Sequence, residues 1–213
     1  VVLKQRLEHA DPSTLSALLL TVDAVVHAAA HTGIPHSAEA PADDWRSNVE
    51  AAIALGPEHL SLYGLTLEEE TPLWRTIEEN VLPAIDPDLS AEQYELAEDL
   101  LAANGYRHYE ISNWAKEGYE CRHNLVYWQN LAYLGVGVAA HSCLDGHRLA
   151  NTSNIDKYLS DFANKMPFLP EMDEEIDAEL ELAETAILGL RLNEGINIAD
   201  IKYRYGIDLL SYY

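Results

Sequence analysis

Residues 59–112 decide the predicted fold of this chain: HLSLYGLTLEEETPLWRTIEENVLPAIDPDLSAEQYELAEDLLAANGYRHYEIS. The run at the start is apolar almost throughout, which is typical of a parallel-sheet strand covered on both faces. The end alternates between apolar and polar side chains, as a strand with one buried face does. Between them lie two helix start signals, Thr71 followed by Pro72 and Ser90 followed by Gln93, the second resembling a capping box. The stretch therefore predicts strand, helix, helix and strand, at His59–Leu65, Thr71–Val81, Ser90–Asn104 and Tyr106–Ser112.

A similar alternation continues on both sides of this stretch. Upstream, helices are predicted at Ser13–His31 and at Trp45–Leu55, the second with Asp43 or Asp44 as its N-cap. Downstream the pattern predicts a long loop, a buried strand, a helix, a linker and two helices, at Asn113–Asn130, Leu134–Ala140, Asn154–Ala163, residues 166–173, Glu174–Arg191 and Ile198–Tyr205. This α/β order fits the later units of a parallel (β/α) barrel better than a doubly wound sheet. Functional residues of such barrels lie at the C-terminal ends of strands, so Asn113–Asn130 is the predicted functional surface.

The charge of the chain narrows the classes of partner. Its 213 residues carry 36 acidic and 13 basic side chains, a formal net charge of −23. Nucleic-acid binding needs cations that neutralise phosphates, so this balance argues against a nucleic-acid partner. It argues equally against unaided docking on anionic lipid. We interpret the acidity as a solvated surface.

Cysteine content and hydropathy point to a reducing compartment. Cys121 and Cys143 are the only cysteines in the sequence, and no signal-peptide pattern is found at its start. The longest apolar run, Ala17–Ala30, is interrupted by polar residues and is too short for an integral membrane segment. We therefore expect a cytoplasmic location.

The predicted loop contains the motif with the most chemistry, His123-Asn124-Leu125-Val126-Tyr127-Trp128. An imidazole can ligate iron, aromatic faces can stack on a macrocycle, and a carboxamide can orient the imidazole or bond a propionate. The same residues also suit a purely structural reading, in which His123 caps a turn and Tyr127 and Trp128 are core. Composition and spacing alone favour that structural reading.

Four segments carry a resemblance to a known family. They are HLSLYGLTLEEETPLW (His59–Trp74), GYRHYEISNWAKEGYECRHNLVYWQN (Gly105–Asn130), YLGVGVAAHS (Tyr133–Ser142) and, more weakly, ETAILGLRLNEGINI (Glu184–Ile198). The chain thereby resembles the radical SAM proteins related to oxygen-independent coproporphyrinogen III oxidase. Within them it resembles the HemW-type heme chaperones, which the His-Asn-x-x-Tyr-Trp element marks.

The resemblance implies a fold, a ligand and a function. The fold is the later part of an incomplete parallel (β/α) barrel, residues 1–165, followed by the start of a small, mostly helical C-terminal domain, residues 166–213. The function is to hold heme for transfer to acceptor proteins, with His123, Asn124, Tyr127 and Trp128 at the heme and His123 on its iron. The alternative is an oxygen-independent coproporphyrinogen III oxidase-like enzyme of porphyrin biosynthesis, so whether the chain is enzymatic stays open. A homodimer is a further expectation.

Full-length members of this family also hold a [4Fe–4S] cluster and S-adenosylmethionine. The cluster needs a C-x-x-x-C-x-x-C motif, and this chain has none. Gly64 and Leu65 are the nearest matches to the S-adenosylmethionine contacts, through their backbone, although ordinary strand packing explains them equally well.

Other polar groups near the predicted surface have weaker claims. His141 follows an apolar run and is either a ligand or a structural histidine, and Cys121 is an alternative heme ligand. Gly135 and Gly137 are expected to let another backbone or a flat ligand approach closely. Glu110 is interpreted as a salt-bridge or hydrogen-bonding group rather than a general base.

Overall fold

The computed structural model describes residues 41–164 and 169–212. The predicted helix Ser13–His31 lies outside these residues, and so do residues 166–168 of the predicted linker. The chain forms two compact units. The first holds the described residues up to His108 together with Ser112–Tyr119, and the second holds Tyr109–Ile111 and the described residues from Glu120 onward. The domain boundary expected between residues 165 and 166 stays a prediction.

Helices and strands alternate along both units. The elements up to residue 119 are α1 (Pro41–Ala54), β1 (His59–Ser61), α2 (Pro72–Glu78), α3 (Pro87–Ala103), β2 (Arg107–Glu110) and β3 (Asn113–Ala115), the unit division running through β2. The elements that follow are α4 (Arg122–Trp128), β4 (His141–Leu144), β5 (His147–Ala150), α5 (Ile155–Ala163), β6 (Met172–Glu175), α6 (Ala178–Gly189), α7 (Ile198–Tyr205) and α8 (Leu209–Tyr212).

Helices with local start signals lie where the sequence predicts them. At α2 the Thr71 hydroxyl accepts a hydrogen bond from the Trp74 amide at 3.3 Å, and Pro72 occupies the first helical position. At α5 the Asn154 side chain accepts from the Lys157 amide at 2.9 Å. The bounds of α7 are the predicted ones.

Two helix starts were predicted too late. Asp86, not Ser90, caps α3: its carboxylate accepts from the amides of Asp88 and Leu89 at 2.9 and 3.2 Å. Ser90 lies one turn inside the helix and donates to the Asp86 carbonyl. Asp86 is the N-cap rather than Ser90 because Pro87 follows it, and proline is favoured in the first turn of a helix. The helix predicted at Trp45–Leu55 begins at Pro41.

The first sheet has the strand order β1–β3–β2, and β1 pairs antiparallel with β3, His59 opposite Ala115. The parallel pairing and two-sided burial predicted for His59–Leu65 are therefore wrong for this pair. The strand ends at Ser61, and Tyr63 and Leu65 are exposed. The partner β3 lies in a segment that was predicted as loop, so it was missing from the predicted pairing.

The core of the first unit gathers beside this sheet. Leu101 of α3, Tyr106 and Trp114 of β3 are buried together, with Ile53, Leu60 and Leu62 against them. Trp114 stacks on His108 with 4.3 Å between ring centroids. Tyr106 satisfies its buried hydroxyl by donating to the Pro57 carbonyl at 2.6 Å.

The second unit contains an antiparallel sheet, β4–β5–β6, that the sequence analysis missed. Its hairpin turn is Asp145-Gly146, both with positive φ, a sequence that favours tight hairpins. Acidic β6 pairs with β5, so Glu174 lies opposite Arg148 and their side chains are 3.4 Å apart. Opposite charges in register stabilise such a pair.

Two predictions for the second unit need correction: the start of one helix, and one strand. The helix predicted at Glu174–Arg191 begins only at Ala178, where the Asp177 carboxylate caps it, because β6 occupies the preceding residues. The buried strand predicted at Leu134–Ala140 is a loop with exposed apolar side chains, Val136 being 83% exposed. Along the part of the chain that the structure describes, no helix is long and apolar enough to cross a membrane.

Candidate functional site

The His-Asn-x-x-Tyr-Trp motif forms a helix, α4, within the segment predicted as loop. The helix begins after Cys121, whose carbonyl accepts from the Leu125 amide at 3.0 Å, and it ends at Trp128, with Gln129 as its C-cap. Asn130 follows with φ of 49°, the left-handed conformation in which Asn often ends a helix. Because residues four apart share a helix face, His123 and Tyr127 lie on one face of α4, and Asn124 and Trp128 lie on another.

The exposed His123 and the half-buried Tyr127 form an aromatic group. The Tyr127 hydroxyl lies 2.9 Å from Nε2 of His123, and the two rings meet edge to face at 4.8 Å. Tyr133 continues the group, with its ring centroid 4.6 Å from that of Tyr127. Burial raises the pKa of Tyr133. His123 itself is exposed, so an imidazole stands at the surface with two phenol rings in succession beside it.

The half-buried Asn124 contacts the buried Tyr109. Its amide donates to the Tyr109 hydroxyl at 3.4 Å, and the Cys121 amide donates to the same oxygen at 3.4 Å. Tyr109 is buried, and burial raises its pKa although these two hydrogen bonds lower it. The N-terminal end of α4 is thus attached to Tyr109, and no described hydrogen bond joins Asn124 to His123.

The ring of Trp128 stacks against the guanidinium group of Arg191. Arg191 was not among the site residues predicted from the sequence. The Arg191 guanidinium carbon is 4.3 Å from the centre of the Trp128 ring, a cation–π arrangement. A guanidinium nitrogen of Arg191 lies 3.9 Å from the carboxylate of Glu110, which is 1% exposed. The ion-pair role expected for Glu110 is therefore observed. Within the described residues, the indole nitrogen of Trp128 is buried without a hydrogen-bond partner.

The C-terminal end of α4 is attached to α6 and α7. The Asn130 amide donates to the Thr185 hydroxyl at 3.0 Å, and the Thr185 and Tyr205 hydroxyls are 2.9 Å apart. Tyr205 donates to Glu181 at 3.0 Å. These hydrogen bonds define a C-terminal clamp (Asn130, Thr185, Tyr205 and Glu181) that holds the motif helix in place.

Replacing the buried Thr185 by valine is expected to weaken the clamp and lower the free energy of unfolding by about 1–2 kcal/mol, because its half-buried partners Asn130 and Tyr205 lose one hydrogen bond each. Urea titration followed by circular dichroism measures the change. Thr76→Val is the matched control, since the Thr76 hydroxyl bonds only the exposed Pro72 carbonyl of its own helix. Equal stability of the two variants would contradict the role of the clamp.

The remaining predicted site residues lie outside α4. Gly64 and Leu65 follow β1 in the first unit and are exposed, so their role toward S-adenosylmethionine stays a prediction. His141 is exposed at the start of β4, with Nδ1 3.1 Å from the Ala139 carbonyl. Cys121 and Cys143 are free thiols. Among the described residues, no three His, Cys, Asp or Glu side chains are grouped as a metal site would require.

Gly135 allows the close backbone approach that was expected. A Cβ at this position would overlap the His141 carbonyl oxygen and lie 2.7 Å from its carbon. The Gly135 amide donates to the buried Ser142 hydroxyl at 2.9 Å. Gly137 adopts φ of 115°, and its carbonyl accepts from the Asn151 amide. These contacts fix the loop that follows Tyr133.

The fold is that of the radical SAM class. The structure matches that of coproporphyrinogen III oxidase (HemN) from Escherichia coli, a radical SAM enzyme, with a TM-score of 0.63 at 16% sequence identity. The match covers 80% of this chain and 42% of the oxidase. It confirms the predicted α/β fold of radical SAM type. The parallel barrel pairing itself is not seen in the strand pairs whose register is described, which are antiparallel.

Within that class, the chain is a relative of the HemW heme chaperones. It is 36% identical to HemW of Synechocystis sp. over 173 residues and 34% identical to HemW of Bacillus subtilis over 163 residues. These matches cover 80% and 76% of this chain. A mouse protein described as radical S-adenosyl methionine domain-containing protein 1, mitochondrial, is 42% identical over 99 residues, 46% of this chain and 22% of that protein.

The relationship predicted from the sequence is thus confirmed at the level of the family. The chain spans about two fifths of the length of the two bacterial relatives, 41% and 42%. No protein-family model matches it.

Proposed function

We propose that this chain carries the heme-binding site of a protein that holds heme and passes it to acceptor proteins. One observation supports this most: the motif helix α4 places the His123 imidazole at the surface, hydrogen-bonded to Tyr127, with Tyr133 beside it. An accessible imidazole next to aromatic rings suits a flat, apolar ring system that carries iron. The names of the bacterial relatives agree with this proposal.

The donor set of α4 fits heme. Heme iron accepts an imidazole nitrogen as an axial ligand, which is the chemistry this group supplies when bound. His123 supplies the imidazole without the cost of opening a buried site, since it is already exposed. Tyr127 holds the ring from Nε2, as the outer partners of ligating histidines do, and this leaves Nδ1 without a described hydrogen bond. Ligation through Nε2 would instead require the Tyr127 hydroxyl to move away.

The four motif residues divide between the two faces of α4. His123 and Tyr127 are proposed to touch heme directly, as iron ligand and as aromatic edge. Asn124 and Trp128 are proposed to support the site from the inner face, through Tyr109 and Arg191. A side chain with a fixed orientation loses less entropy on binding, so this support is expected to strengthen binding.

The residues of this chain do not fit an iron–sulfur cluster. Its two cysteines, Cys121 and Cys143, are too few and too far apart in sequence for a C-x-x-x-C-x-x-C motif. We therefore assign no radical chemistry to this chain. An oxidase-like function is the second candidate; the shared fold alone supports it, and it would need cluster ligands that these residues do not supply.

Heme titration of the purified chain tests the proposal. We expect about one heme per chain, with a Soret band typical of imidazole ligation, and we expect apomyoglobin added to the loaded chain to take up the heme. Binding that does not saturate would contradict specific heme binding. The same spectral change in buffer without the chain would contradict it as well. Saturable binding without release to apomyoglobin would contradict the transfer step only.

A further inference from the structure

The overall charge of the chain opposes the ligand that we propose for it. Heme carries two propionate groups that are negative at neutral pH, and the chain has a formal net charge of −23. Repulsion of like charge disfavours both approach and binding unless a cation stands close to the site. A Lys or Arg side chain of the second unit that forms no ion pair within the fold is therefore a candidate to bind a propionate.

Nearly every cation of the described second unit is paired with a carboxylate. The nitrogen–oxygen distances are 2.7 Å for Arg148–Glu184, 2.6 Å for Lys157–Asp161, 3.9 Å for Arg191–Glu110, 3.4 Å for Lys202–Asp208 and 3.2 Å for Arg204–Glu181. Arg148 forms the closest bidentate pair, because both of its terminal nitrogens donate to the Glu184 carboxylate, which raises the pKa of Arg148. The fold thus uses these five side chains to balance its own acids.

Arg122 is the exception among the described Lys and Arg residues of this unit. It is the first residue of α4, it is exposed, and it has no carboxylate at ion-pair distance within the described residues. It directly precedes His123, so the two Cα atoms are about 3.8 Å apart. Neighbouring side chains on a helix diverge, which lets Arg122 and His123 reach different parts of one large ligand.

We infer that Arg122 recognises a carboxylate of the bound macrocycle, so that the site selects iron porphyrins with charged side chains. This inference rests on the proposed heme function. A guanidinium binds a carboxylate through two parallel hydrogen bonds and stays charged at any physiological pH. Among the described residues, Arg122 has no carboxylate partner to give up in order to make these bonds, whereas Arg191 would have to loosen its contacts with Glu110 and Trp128.

A comparison of two ligands tests this role. Iron protoporphyrin IX and its dimethyl ester share the same ring and iron, but the ester lacks the carboxylate charges. In the 213-residue chain, Arg122→Gln is expected to weaken binding of the free acid roughly three- to fivefold, the range of an exposed ion pair. Binding of the ester, and the Soret spectrum of both complexes, should not change. Arg122→Lys should restore part of the loss, since it keeps the charge and gives up the paired hydrogen bonds.

Lys157→Gln is the matched control, because it removes the same charge from an exposed helix of the same unit. An equal loss in this control would show a general charge effect and contradict the role of Arg122. Equal affinity of Arg122→Gln and the unaltered chain for the free acid would contradict it as well. If the unaltered chain bound neither ligand, the proposed heme function would fail and the inference with it.

Discussion

Replacing His123 by alanine is expected to weaken heme binding by a factor of ten or more and to remove the spectrum of imidazole-ligated iron. The reason is that the proposed axial bond is lost, while the aromatic contacts that remain are individually small. Heme titration and the position of the Soret band measure both effects. The stability of the chain should hardly change, because His123 is exposed and bonds only Tyr127 among the described residues.

His141→Ala provides the control for this prediction. His141 is an exposed histidine of the same unit whose described hydrogen bond is to the Ala139 carbonyl, and we expect its replacement to leave the spectrum unchanged. The reverse pattern would make His141 the iron ligand. An unchanged spectrum in both variants would make Cys121, which is half-buried at the start of α4, the next candidate for the iron ligand.

Gly135→Ala is expected to lower the free energy of unfolding by about 3 kcal/mol, the upper part of the usual range for an overfilled site. The new methyl group would overlap the His141 backbone, which cannot rotate away as a flexible side chain can. Thermal unfolding followed by circular dichroism measures the loss. Weaker heme binding should accompany it, since Gly135 follows Tyr133 by two residues and Tyr133 contacts Tyr127.

Val136→Ala is the control for Gly135→Ala, because it changes the next side chain in the same loop, one that is largely exposed. We expect a change below about 0.5 kcal/mol for this surface substitution. A Gly135→Ala variant as stable as Val136→Ala would show that the loop relaxes freely and that the close approach to His141 is not needed.

The helices of this chain could be predicted because their start signals are local. Thr71 with Pro72, Asn154 and Asn197 each cap a helix through a side chain within three residues, so a short window of sequence contains the cause. The start of α3 was misplaced because Asp86 and Ser90 are both good caps, and Pro87 decides between them.

The strands could not be predicted with the same success, because their partners are distant in sequence. The residues of β6 were divided between a predicted linker, which ends at residue 173, and a predicted helix, which begins at Glu174. They form a strand only through pairing with β5, where Glu174 lies opposite Arg148. The apolar run Leu134–Ala140 has the composition of a buried strand, yet Gly135 and Gly137 let it form a loop instead. One signal was overlooked: Asp145-Gly146 predicts the β4–β5 hairpin on its own.

In the candidate site too, local features could be predicted from the sequence, whereas contacts between distant residues could not. The motif identified His123 and Tyr127 among the candidate site residues, but in a segment predicted as loop, and the helical spacing that brings them together is seen only in the structure. The partners that hold the motif helix are Arg191 and Thr185, which are more than 50 residues further along the chain and have no pattern in common with the motif. Only the folded structure brings them to it.

Hydrogen exchange of the free and heme-loaded chain, read by mass spectrometry, tests the central claim that α4 is where heme binds. The amides of residues 121–131 should exchange more slowly with heme bound, because a ligand that contacts His123 and Tyr127 suppresses opening of this short helix. The amides of α3 in the first unit should exchange at the same rate in both states. Protection that appears elsewhere, with residues 121–131 exchanging equally fast in both states, would contradict the account.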